Sequence, residues 1–178
     1  TAYPFASQNR KDFNNLLDVY LDAVFFSRLD ELDFLQEGHR LAFTDAGNIN
    51  SSLEFKGVVF NEMKGAMSSI NSILWQTLCK HLFPSTTYHY NSGGDPAYIT
   101  DLSYQELLDF YQKHYHPSNA IFMTYGDIPA YEHQQRFEQQ ALHAFNASDD
   151  RIKVADEKRY QAPICAEEFY PLDSADDI

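Results

Sequence analysis

Apolar residues recur at helical spacing in some stretches of the 178-residue chain and in short unbroken runs in others, and these two patterns set the expected elements. Phe13, Leu16, Leu17, Tyr20, Leu21, Val24 and Phe25 fall three and four apart, the repeat of one helical face. Asn9 can cap that helix, and Asp12 lies in its first turn. Ile73, Leu74, Leu78 and Leu82 predict a second helix over 70–83, with Trp75 and Cys79 on a neighbouring face and Pro84 as the stop. Ser103 and Glu106 form a capping box ahead of Leu107, Leu108 and Tyr111. Pro129 suits the first turn of a last helix reaching about Phe145. Strands are expected at 1–7, irregular because of Pro4, and leading on from Glu37-Gly38-His39-Arg40-Leu41. A third is expected at 120–125, whose nearly all-apolar run reads as a central strand. Helices interleaved with short strands give an α+β (α/β) chain.

The polar stretches between these elements are turns and linkers. Residues 44–52 are rich in Asp, Asn, Gly and Ser. In 85–101, Gly93-Gly94-Asp95-Pro96 has no lysine and is broken at once by proline, which excludes a phosphate-binding loop. His114 and His116 bracket one residue at the end of a helix, where positions two apart point in different directions. They are expected to cap the helix C-terminus rather than to bind metal. Glu37 and His39 read as charges of a Gly-centred junction facing water.

Charge narrows the function classes. With 26 acids against 13 Lys and Arg, the formal net charge is −13, and such a surface repels nucleic acid. It could attract cationic peptides, though acidity also serves solubility. No run approaches the ~18–20 apolar residues of a membrane span. Cys79 and Cys165 are too few for a disulfide framework and fit a reducing compartment, Cys79 as a small core residue.

The most informative stretch is LEFKGVVFNEMKGAMSS, Leu53 to Ser69. On a helix, Glu62 shares its face with Val58, Val59, Gly65 and Ala66, while Lys64 points elsewhere. A carboxylate among small apolar neighbours is costly to bury unless it is paired or binds a metal. The competing reading is an ordinary surface Glu or half of a salt bridge.

GVVFNEMKGAMSS, together with DVYLDAVFF, QEGHRL, NSGGDP and YHPSNA, resembles the presequence protease branch of the pitrilysin/insulinase zinc metallopeptidases. The resemblance runs from Thr1 to about Ala147. It implies an inverted zinc site in which two His of an H-x-x-E-H helix bind zinc and the Glu between them is the general base. A third ligand, a Glu, comes later, and Glu62 matches it. None of the seven histidines lies in an H-x-x-E-H. The resemblance therefore implies that the chain starts after the catalytic helix: it holds no catalytic residue, and its metal ligand is Glu62. Phe55 stands where some relatives carry a supporting acid seven residues before the ligand, so no such role is carried over. Residues 1–147 are expected to be the C-terminal part of the first, zinc-binding domain, and 148–178 a linker and the start of a following segment. The implied fold is a mostly antiparallel sheet with helices packed on it, lacking its first strands and helix. The implied activity is zinc-dependent cleavage of unfolded oligopeptides such as targeting presequences, in the bacterial cytoplasm or mitochondrial matrix. The implied partners are those peptides and the missing N- and C-terminal parts of the same protein. Alone, the 178 residues are expected to be inactive and to be poorly soluble or self-associating. The alternatives are a non-catalytic subunit that pairs with a catalytic chain, or a peptide-binding module.

Overall fold

The computed structural model describes residues 1–149 and 152–170, which form two units: 1–29 with 105–152, and 30–104 with the C-terminal segment from 153. Within the first unit, α1 spans Arg10–Phe25. Its start is fixed as the sequence predicts, with Asn9 Oδ1 accepting the N–H groups of Lys11 at 3.0 Å and Asp12 at 3.2 Å. Leu17, Leu21 and Phe25, four residues apart, form its buried edge and pack with Phe137 and Ala141. Phe137 belongs to α7, Ala130–Gln140. Across this pair of helices Arg136 holds Asp18 through two bonds, Nε at 2.9 Å and Nη2 at 2.5 Å, the fork geometry that favours Arg over Lys. From α6, Tyr104–His114, the Tyr111 hydroxyl donates to Val24 O at 2.8 Å and accepts from Ser27 N–H at 3.1 Å. It thereby uses backbone groups freed at the end of α1.

Two expected strands of this unit are not formed. Residues 1–7 are irregular, with Phe5 packed on Phe13 and Tyr20 at ring distances of 5.2 and 4.9 Å. Residues 120–125 also lack strand structure. Phe122 turns into the core, 4.6 Å from the Phe137 ring, while Ile121, Met123 and Tyr125 stand in solvent. The period-two alternation of a strand is present, but no neighbouring strand pairs with it among the described residues. A strand exists only where its N–H and C=O groups meet a partner.

In the second unit, α2 (Glu31–Asp33) runs into one π-helical turn, Phe34–Gly38. An antiparallel hairpin follows, β1 (Arg40–Phe43) against β2 (Leu53–Lys56), in register Arg40 to Lys56 and Phe43 to Leu53. Then come α3 (Val58–Ala66) and α4 (Ile70–Leu82), which stops before Pro84 as its ring requires. The 85–101 stretch is more ordered than a loop. It holds a 3-10 turn at Thr87–His89 and the short α5, Pro96–Ile99, whose first turn Asp95 caps through Ala97 N–H at 3.0 Å. From the C-terminal segment Glu157 accepts the Ser85 N–H at 2.9 Å and the Ser85 hydroxyl at 2.8 Å. The class is α+β and helix-rich, as the sequence pattern implies; among the described residues the sheet has two strands.

The apolar stripe of α4 is turned outward. Leu74, Trp75, Leu78 and Leu82 are all exposed, and the buried residue of the helix is Gln76. Its amide nitrogen donates to His89 O at 2.9 Å. The histidine pair also departs from expectation. His116 Nδ1 accepts Ser118 N–H at 3.1 Å, starting the 3-10 turn Pro117–Asn119. The end of α6 is closed instead by Asn119, whose amide donates to His114 O at 3.1 Å. His114 itself stacks on Phe110, one turn back on the same face.

Candidate functional site

The site is built on α3. Helix formation begins at Gly57, whose carbonyl accepts the Asn61 N–H at 3.0 Å. Phe60, Met63 and Met67, spaced three and four apart, are the half-buried residues of the helix and its cap. Phe60 meets Phe55 of β2 edge-on at 6.2 Å, and Met67 Sδ lies 3.8 Å from the Asn91 amide nitrogen. Lys64 reaches back over the Phe60 ring, 6.0 Å from its centre, a cation–π distance.

Glu62 lies off this stripe and is exposed, as are Val58, Val59, Gly65 and Ala66 beside it. This corrects the expectation of a carboxylate aimed into a closed apolar environment. The residues predicted to surround Glu62 do share its face. The face that packs, however, is the one carrying the larger Phe60, Met63 and Met67, which offer more area to remove from water. Among the described residues Glu62 has neither a hydrogen bond nor an ion pair, so the salt-bridge reading is not realised. The nearby acid Glu54 is engaged, 3.0 Å from Lys56 Nζ on the same exposed strand.

An ionised carboxylate accepts hydrogen bonds or binds cations, and zinc takes such an oxygen readily. No set of three His, Cys, Asp or Glu is close enough to hold a metal among the described residues. The local donors thus fit one ligand of a shared site, not a complete site. Two of the histidines are engaged elsewhere: His39 Nε2 meets Leu102 O at 2.7 Å, and His133 is buried between the rings of Phe13 and Phe137. Cys79 and Cys165 are both free thiols, half-buried and exposed respectively.

Comparison with known proteins decides the family. Residues 101–171 match the model described as the Peptidase M16 inactive domain. The chain is 49% identical over 163 residues to the mitochondrial presequence protease of Xenopus laevis, covering 92% of this chain and 16% of that protein. It is 46% identical over the same length to the mouse protein of that name, with the same coverage of each. It is 51% identical over 129 residues to the one from Schizosaccharomyces pombe, covering 72% of this chain and 13% of the relative. The chain belongs to the presequence protease branch of the M16 peptidases. It spans about one-sixth of the length of the curated vertebrate relatives it matches. Glu62 lies outside the stretch that the family model matches.

Sequence reasoning missed the residues that seat α3. Gly57 has extended backbone, φ 169°, open to any residue. Its need is space: a Cβ there would lie 2.6 Å from Gly38 C and 2.9 Å from His39 Cα. Gly93 is similar, since a Cβ on it would overlap Met63 Sδ and come within 3.1 Å of Met63 Cε. The available signal was the paired glycine of NSGGDP, which nothing in the sequence tied to α3.

Proposed function

We propose that the chain is part of a zinc metalloendopeptidase that degrades unfolded oligopeptides such as targeting presequences in the mitochondrial matrix. In this reading residues 1–147 complete its first, zinc-binding domain. The observation that carries the reading is the 46–49% identity, over 92% of the chain, to proteins named mitochondrial presequence protease. Glu62 is the third zinc ligand; two histidines and the general base come from an H-x-x-E-H helix outside these 178 residues. The free, outward-facing Glu62 carboxylate supports that role, since a ligand to a shared site must be reachable from a facing element. Zinc held there would supply activation of water and polarisation of the scissile carbonyl.

The chain's own contribution is charge and placement. One carboxylate on a helix presents a single anionic donor, and its helix fixes where that donor stands. With one ligand of the three that such catalytic sites use, these residues alone bind zinc weakly and cleave nothing. A second reading, a non-catalytic subunit that pairs with a catalytic chain, draws on the description of the model matched at 101–171, the M16 inactive domain. An H-x-x-E-H in the same polypeptide as Glu62 favours the enzyme; its absence there favours the subunit. The direct test of the ligand is Glu62→Gln in a longer protein carrying that helix. Loss of bound zinc supports the reading, and full zinc occupancy refutes it.

A further inference from the structure

From residue 152 to 170 the chain runs without helix or strand. Every residue of that run is exposed except Glu157, which is half-buried. Exposed side chains remove little area from water, so packing does little to hold the run in place. Polar contacts do not hold it elsewhere. Among the described residues, the hydrogen bonds of 152–170 all involve the Glu157 carboxylate. The irregular residues 1–7 differ in this respect, since Phe5 anchors them on the rings of Phe13 and Tyr20.

The Glu157 carboxylate is well supplied with donors. Its Oε2 accepts the Ser85 N–H at 2.9 Å, and its Oε1 accepts the Ser85 hydroxyl at 2.8 Å and the Lys158 N–H at 2.9 Å. Ser85 thus grips both oxygens, and hydrogen bonds to an ionised acceptor are stronger than neutral ones. Ser85 is itself firmly placed. It follows Pro84, whose ring fixes φ, just past the end of α4. The 3-10 turn beyond it, Thr87–His89, is tied back to α4 through the His89 carbonyl and the buried Gln76.

We infer that residues 153–170 form a releasable strap, held on the unit that carries α3 and α4 by the grip of Ser85 on the Glu157 carboxylate. The inference is independent of the reading of Glu62. Opening the strap breaks the two bonds from Ser85 and uncovers no core residue, so it can open while the helices stay folded. Closed, the free run of chain begins at Lys158; open, it begins at Lys153. The five residues added lengthen its reach by about 17 Å, at about 3.3–3.6 Å per extended residue. The clasp thereby decides from which point the following polypeptide sets out.

The experiment uses the 178-residue chain in dilute solution. Energy transfer is measured from Trp75, its single tryptophan, to a dye on Arg159→Cys, two residues past the clasp. Cys79 and Cys165 are replaced by Ala so that the dye has one attachment point. Circular dichroism follows the helices. With Glu157 present, the distribution of donor–acceptor distances is expected to be narrow. Glu157→Ala, which removes both acceptor oxygens, broadens it with helical content unchanged. Ser85→Ala removes the hydroxyl but keeps the N–H, and broadens it less. Added to Glu157→Ala, Ser85→Ala has no further effect, because the two residues make one contact. If Glu157→Ala leaves the distribution as it was, whether narrow or broad, this clasp does not hold the strap and the inference is wrong. Further broadening by Ser85→Ala in the absence of Glu157 overturns it as well, since the serine then acts through something else. A fall in helical content on Glu157→Ala also overturns it, because the contact then supports the fold instead of a strap that opens by itself.

Discussion

The 178-residue chain should self-associate through the outward stripe of α4, and replacing Leu74 and Leu78 by Glu should keep it dispersed. Leu74 is 57% exposed and Leu78 42%, and fully burying a leucine contributes about 1.5–3 kcal/mol. A second copy docking on this face could therefore gain about 0.9–1.7 kcal/mol at Leu74 and about 0.6–1.3 at Leu78. A symmetric pair gains each twice, about 3–6 kcal/mol in all. These are upper values, since docking covers only part of the face and ordering opposes it. At tenfold per ~1.4 kcal/mol, and with charge repulsion added, the double substitution should weaken association by roughly 100-fold. Glu is a good helix former, so helical content should not change. Sedimentation velocity over a concentration series reads the shift directly, with circular dichroism as the control for folding. The reasoning is refuted if the unaltered chain is monomeric throughout with a cooperative melt, or if the Glu variant associates as strongly.

Two further outcomes follow from the described contacts. Phe137→Ala in the α1–α7 core should cost about 3–5 kcal/mol, because Phe137 is buried against Leu17, Leu21 and Phe25; a loss under about 1 kcal/mol in denaturant titration would contradict that packing. The Ser85 N–H beside Glu157 holds its carboxyl below the usual carboxylate range. The clasp is therefore complete above the unfolded pKa and is lost as pH falls through the lower folded value. The Ser85 amide resonance should titrate with a midpoint below that of a free Glu side chain, and a midpoint at or above it would refute the clasp.

The helices were the readable part of the sequence because their information is local. The α1 stripe, its Asn9 cap and the Pro84 stop each act within a few residues of where they are written. The strands expected at 1–7 and 120–125 were not local. Their alternation survives in Phe122 against Ile121, Met123 and Tyr125, but pairing needs a second strand that the pattern does not contain. For α3, periodicity grouped Glu62 correctly with Val58, Val59, Gly65 and Ala66, yet could not say which face packs. That depended on Met63 finding the Gly93 turn some thirty residues later, a tertiary fact invisible in α3's own spacing. The same limit hid the outward turn of α4, where Gln76 is buried and bonded to the His89 carbonyl while the leucines are exposed. Of the candidate site, motif resemblance supplied Glu62, and packing alone supplied Gly57 and Gly93.

The most direct test of the account is metal content and turnover in a longer protein that carries both the H-x-x-E-H helix and this chain, compared across Glu62→Gln and Glu54→Gln. Gln keeps the volume of Glu and one acceptor oxygen but loses the negative charge that balances a divalent ion. The Glu54 carboxylate sits in an exposed pair with Lys56, and such pairs contribute about 0–1 kcal/mol, so its variant should be nearly silent. Zinc per molecule and peptide turnover should fall together in Glu62→Gln and remain near wild type in Glu54→Gln. A Glu62→Gln protein with full zinc occupancy and normal turnover would contradict the assignment of Glu62 as the third ligand.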